Sequence, residues 1–121
     1  MSSTATSFQD YAVGKRLSQI CRYVDLNDRI VLDVGCGNGI YTLTLATYGR
    51  QVVGIDINEK ALYEALTNQV GCNVSNVHFV LMSAEVLGFL EEYFNVVVCI
   101  ETLEHIQRQS EALREIRKVL R

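Results

Sequence analysis

Apolar residues along this chain form two kinds of cluster, short unbroken runs and longer stretches in which they recur every three or four positions. The runs Ile30 to Val34, Gln51 to Asp56, Val77 to Met82 and Phe94 to Ile100 are rich in valine and isoleucine and predict buried strands. Helical patterns separate them. Val13, Leu17, Ile20, Cys21 and Val24 fall at helical spacing, so roughly residues 10 to 25 should form an amphipathic helix, with Asp25 to Asp28 turning the chain into the first strand. Ile40 to Tyr48 reads as a second helix, stopped by Gly49 in a left-handed cap. Asn58 is an N-cap for a third, which carries Ala61, Leu62, Ala65 and Leu66 on one face and ends near Gly71. A short helical segment is expected near Ala84 to Glu91. The last helix begins near Ser110, with Ala112, Leu113, Ile116, Val119 and Leu120 inward and Glu111, Arg114, Glu115, Arg117 and Lys118 outward.

Strand and helix alternating four times imply an α/β fold with parallel strands and right-handed crossovers. No repeat or linker interrupts the pattern, so residues 1–121 are expected to be one domain, with the polar start, residues 1–9, disordered. Eleven basic against fourteen acidic residues give a net charge of −3 with no basic stripe, which argues against autonomous nucleic-acid binding. No apolar run approaches a membrane span, and the N-terminus lacks the regions of a signal peptide, so a cytoplasmic protein without a membrane partner is expected. Cys21, Cys36, Cys72 and Cys99 are scattered, with no C-x-x-C pair, and are expected to be reduced and mostly in the core. His78, with no partner at ligand spacing, is expected at the surface.

Candidate chemistry concentrates where the first strand meets Gly35-Cys36-Gly37-Asn38-Gly39. Alternate glycines let the backbone adopt positive φ and approach a ligand closely, and the helix that follows offers unpaired N–H groups. The dinucleotide fingerprint requires G-x-G-x-x-G; here the third glycine comes one residue early and Ile40 stands in its place, which turns the odds from NAD. Asp56, 21 residues after Gly35 at the end of the second strand, is placed to accept both ribose hydroxyls of a nucleoside lying across the strand ends, with Ile57 offering an apolar face to the base.

Val31 to Gly39, V-L-D-V-G-C-G-N-G, resembles the first motif of class I S-adenosylmethionine (SAM) methyltransferases. Leu81 to Phe89 is similar to the family segment written G-D-A-E-x-L-P-F, with Met82, Ser83 and Gly88 replacing its Gly, Asp and Pro. Asn95 to His105 looks like the fourth motif, and the E-x-x-E-H run within it occurs in ubiquinone-type O-methyltransferases. The resemblance implies a Rossmann-like parallel sheet of strand order 3-2-1-4 with helices on both faces, SAM as cofactor, and a small molecule as methyl acceptor. It implies that Asp33 and the backbone near Cys99 and Ile100 meet the methionine ammonium, and that Ser83 and the Ala84 backbone meet the adenine. Phe8 and Tyr11 could close over the cofactor.

In Glu101-x-x-Glu104-His105, a helix starting near Glu101 would place all three side chains on one face. They could then hold a divalent metal, or Glu101 or His105 could take the proton of an acceptor hydroxyl. The equally open alternative is that they face solvent beside the cleft. The resemblance covers only the first half of the family's domain: the chain is expected to be truncated before strand five, leaving an apolar fourth strand on an open edge that invites self-association. Two other readings are a non-catalytic SAM-binding or scaffolding module that needs a partner chain, and a small-RNA 2′-O-methyltransferase-like enzyme with an E-x-x-E-H metal site.

Overall fold

A computed structural model describes residues 8–100 and 102–121, with side chains from residue 13 onward. The apolar runs become four strands, β1 (Ile30–Val34), β2 (Gln51–Asp56), β3 (Val77–Leu81) and β4 (Val96–Val98), and the helical patterns become α1 (Phe8–Tyr23), α2 (Ile40–Leu45), α3 (Glu59–Cys72) and α4 (Gln109–Val119). All strand pairs are parallel and the sheet order is β3-β2-β1-β4, as the resemblance implied. Residues 1–7 and Glu101 lie outside the described residues, as do the side chains of Phe8 and Tyr11, so the readings of the N-terminal tail, the two aromatics and Glu101 fall there.

Strand side chains alternate between two faces, and each face has its own apolar cluster. Val31, Val52, Val77 and Val98 pack with Val13 and Leu17 of α1 and Leu43 and Leu45 of α2. Leu32, Val34, Val53 and Ile55 pack on the other side with Ala112 and Val119 of α4 and with Ala84, Leu87 and Phe94 from the connection between β3 and β4. Phe94 is fully buried and meets the rings of Phe89 and Tyr93 edge-on, each with centroids 5.0 Å apart, which pins that connection to the sheet. Among the described residues, no helix is long and apolar enough to cross a membrane.

Several sequence expectations are corrected. α2 stops at Leu45 rather than Tyr48, because the Thr44 hydroxyl donates back to Ile40 O and the amides of Thr47 and Tyr48 reach only three residues back. Gly49 does not adopt a left-handed cap; a Cβ there would lie 3.3 Å from Arg29 O, so close backbone approach selects glycine. The left-handed helix cap is Asn73, which ends α3. Leu66 and Leu113, expected inward, are exposed, as is Leu120, which lies beyond the end of α4. Of the four cysteines, all unpaired, Cys36 is buried and Cys99 half-buried, while Cys21 and Cys72 are exposed. His78 is exposed, within β3.

Residues 84–91 form turns rather than a helix, because the Leu87 N–H is drawn to the Glu115 carboxylate at 2.8 Å. Glu115 therefore points toward the connection instead of outward. β4 has three residues, not seven. Ahead of it Asn95 uses both side chain and backbone on Ile30, and Phe94 pairs in parallel with Leu120, with the Phe94 N–H on Val119 O and the Arg121 N–H on Phe94 O. The edge of the sheet is thus covered at the approach to β4, while Val96–Val98 has no outer strand among the described residues.

Candidate functional site

β1 delivers the chain into Gly35 to Gly39, whose three glycines all have positive φ. The amides of Gly35 and Cys36 both donate to Ile55 O at 2.8 Å, which straps the loop onto the end of β2. A Cβ on Gly35 would collide with the Thr102 side chain, and one on Gly39 would lie 2.8 Å from Phe79 Cζ and 3.1 Å from Ala65 Cβ. Only glycine fits either position. At Gly37 nothing lies within 4 Å of such a carbon, so this part of the backbone stands open to a ligand.

Asp56 organises the loop from the opposite side. One carboxylate oxygen accepts the Gly37 N–H and the other the Asn58 N–H, both at 2.8 Å, while Asn58 in turn accepts the Ala61 N–H and caps α3. A carboxylate can accept about four hydrogen bonds, so capacity remains for a diol in front of it. Beneath the loop, Asp33 is only 2% exposed and accepts the hydroxyl proton of Thr42, itself 0% exposed, at 2.7 Å. Burial pushes the Asp33 carboxyl up to about 7; the Thr42 hydrogen bond opposes this and the Asp56 charge adds to it. Cys36 is raised well above the ordinary thiol range by burial and then by Asp33 and Asp56. Cys99 is raised by burial and then by Asp33. Neither thiol is therefore a thiolate nucleophile near neutral pH.

The C-terminal ends of the strands open onto a cavity of about 580 Å³. It is lined by Val34 and Gly35 after β1, Ile55, Asp56 and Ile57 after β2, Met82, Ser83, Ala84 and Glu85 after β3, and Thr102, His105, Ile106 and Gln107 after β4. This is the crevice in which open α/β sheets bind ligands, and its size suits a nucleoside-sized molecule. Its charged side chains are acids and no lysine or arginine lines it, so it suits a neutral or cationic ligand better than a phosphate.

Comparison with known proteins assigns this architecture. A family model described as a methyltransferase domain matches residues 32–121, from the middle of β1 to the end of the chain. The chain belongs to the methyltransferase domain family. It is 40% identical over 100 residues to the ubiquinone biosynthesis O-methyltransferase of Pseudomonas fluorescens (strain Pf0-1), an alignment covering 82% of this chain and 43% of that protein. The chain thus spans less than half the length of the curated relatives it matches. The crystal structure of the YcgJ protein from Bacillus subtilis superimposes with a TM-score of 0.86 at 26% identity, covering 89% of this chain and 47% of that one. Phosphoethanolamine N-methyltransferase 1 from Haemonchus contortus, solved with phosphoethanolamine and S-adenosylhomocysteine, shares the fold at 22% identity with a TM-score of 0.81, covering 96% of this chain and 25% of that one.

Of the residues singled out in the sequence, this methyltransferase domain brings Gly35, Asp56, Ile57, Ser83, Ala84 and His105 together around one cavity. Asp33 lies buried beneath it, Gly37 adjoins it through Asp56, and Cys36 lies under the loop beside Gly54. Asn38, Gly39, Cys99 and Ile100 do not line it. The helix expected from Glu101 is instead a single 3-10 turn, Leu103–His105, which turns His105 toward the cavity and leaves Glu104 exposed outside its lining. Among the described residues no group of three His, Cys, Asp or Glu side chains is placed to hold a metal; Glu101 is not one of those residues. Sequence reasoning gave no role to Glu85, Thr102, Ile106 or Gln107. Thr102 was legible in principle, since a glycine as constrained as Gly35 needs a neighbour pressing on it.

Proposed function

We propose that this chain is the cofactor-binding part of a SAM-dependent methyltransferase that acts on a hydroxyl group of a small-molecule acceptor. One observation carries the reading: an acid-lined cavity at the strand ends in which Asp56 braces an open glycine loop, with no basic side chain to attract a phosphate. The donor set fits SAM, whose ribose diol needs acceptors and whose sulfonium and ammonium charges favour nearby carboxylates. When bound, SAM supplies an electrophilic methyl group.

The residues of this chain would then act by orientation and exclusion of water. Asp56 accepts from the ribose hydroxyls, and Ile57, Met82 and Ala84 form apolar walls for the base. Asp33, held by Thr42, sits on the side of the glycine loop where the amino-acid end would lie, together with the backbone of Cys36, Asn38, Cys99 and Ile100. His105 is the described side chain best placed to take the proton from an acceptor hydroxyl, because it lines the cavity. A hydroxyl acceptor is supported by the O-methyltransferase function of the Pseudomonas relative.

Calorimetric titration with SAM and with NAD tests the cofactor. Saturable SAM heat without NAD heat is the expected outcome, and tight NAD binding without SAM heat would overturn the proposal. Methylation of a panel of dihydroxylated aromatic and quinone precursors, with simple phenols and RNA 3′ ends alongside, tests the acceptor class; methyl transfer to RNA ends alone would refute the small-molecule assignment.

A further inference from the structure

The cavity is not chemically uniform, and its end beyond Asp56 raises a question of base selectivity. Ile57, Met82 and Ala84 supply flat apolar surface there, and two polar side chains follow them, Ser83 and Glu85. The Ser83 hydroxyl oxygen already accepts the Glu85 N–H at 3.1 Å, and the Ser83 carbonyl accepts the Val86 N–H at 3.2 Å. A neutral hydroxyl can donate or accept, so Ser83 alone does not distinguish a ligand amine from a ligand carbonyl. An ionised carboxylate can only accept.

Glu85 is such a group. The 83–86 turn fixes its backbone, and its side chain is 28% exposed. Arg108 approaches one carboxylate oxygen at 4.0 Å, while also lying 3.5 Å from Glu111. Arg108 does not line the cavity, so the guanidinium steadies Glu85 from outside without presenting a donor to the ligand.

We infer that Glu85 is the specificity-determining residue for the base: its carboxylate accepts from the exocyclic amine of a 6-aminopurine lying against Ile57, Met82 and Ala84. A 6-oxopurine would place an oxygen against that carboxylate and be rejected. The inference rests on the proposal that the cavity holds a nucleoside cofactor.

Adenosine and purine riboside differ only in that amine, so the ratio of their affinities isolates this contact. Both would be measured by competition with S-adenosylhomocysteine on the wild type and on Glu85→Gln, Glu85→Met and Ser83→Ala. A hydrogen bond to a charged group predicts a wild-type preference for adenosine of about tenfold or more. Glu85→Met should bring the ratio close to one with purine riboside affinity unchanged. Glu85→Gln, which keeps the shape and one acceptor, should give an intermediate ratio, and Ser83→Ala should keep most of the preference. A wild-type ratio retained in both Glu85 variants, or lost only in Ser83→Ala, overturns the inference while S-adenosylhomocysteine still binds. Failure of the wild type to bind S-adenosylhomocysteine at all overturns the nucleoside reading of the cavity, and the inference with it.

Discussion

Replacing Asp33 by asparagine should make the free protein more stable at pH 8 while weakening its hold on SAM. The Asp33 carboxyl is pushed up to about 7 in the folded chain, against an ordinary value of about 3.9 in an unfolded one. Between those values the native state retains a proton that the unfolded state has released, so stability falls as pH rises through the window. The slope for one group is about 1.4 kcal/mol per pH unit, which over about three units amounts to about 4 kcal/mol. The amide of the Asp33→Asn variant would keep an oxygen for the Thr42 hydroxyl and cannot ionise. The stability of this variant relative to wild type should therefore climb by about 2–3 kcal/mol between pH 5 and pH 8. Urea unfolding of both proteins at unit pH steps measures this, and the difference curve cancels every other titrating group. A difference that stays level across that range would refute the account of Asp33. At pH 8 the same variant should bind SAM more weakly, since a neutral amide replaces a carboxylate that a cationic ligand would hold ionised.

Other substitutions test the remaining contacts. Asp56→Ala removes the acceptors for the Gly37 and Asn58 amides and should weaken SAM binding at least about tenfold, with about 1–3 kcal/mol of stability lost; an unchanged dissociation constant by calorimetry would mean that the ribose contact is misplaced. Gly39→Ala, at φ 85° with Phe79 and Ala65 in the way, should cost about 2–3 kcal/mol in chemical denaturation, partly restored by Phe79→Leu. A fully stable Gly39→Ala would show that the loop can move aside. Glu115→Gln should cost about 1 kcal/mol at pH 7. The Leu87 N–H, first, and then Lys118 and Arg114 hold that carboxyl below its ordinary range. Its stabilisation is therefore present above about pH 4.3 and lost as pH falls further, so the two unfolding curves should converge in acid.

The strands were legible because a strand buried on both faces must be apolar at every position, and a valine run such as Val96–Val98 admits few other readings. The glycine loop and Asp56 were legible because their spacing is imposed by ligand geometry. What the sequence hid was set by partners distant along the chain. Residues 84–91 carry a helical pattern, yet Glu115, 28 positions after Leu87, claims the amide that a helix would have used. Leu66 and Leu113 match the apolar stripes of their helices but lie at the margins of the packed faces. Glu85 looked like an ordinary charged loop residue until the 83–86 turn set it beside the cavity.

The cavity takes its walls from four separate connections, residues 34–35, 55–57, 82–85 and 102–107, one after each strand. No sub-part of the sheet contains them all, so ligand affinity and global folding are two readings of one equilibrium. A nucleoside that saturates the site at a hundred times its dissociation constant would add about 2.7 kcal/mol to the free energy of unfolding by mass action alone. Amide exchange and proteolysis should then slow at α1 and α4, far from any atom the ligand touches. A melting temperature recorded against ligand concentration would measure occupancy of this site without any catalytic turnover.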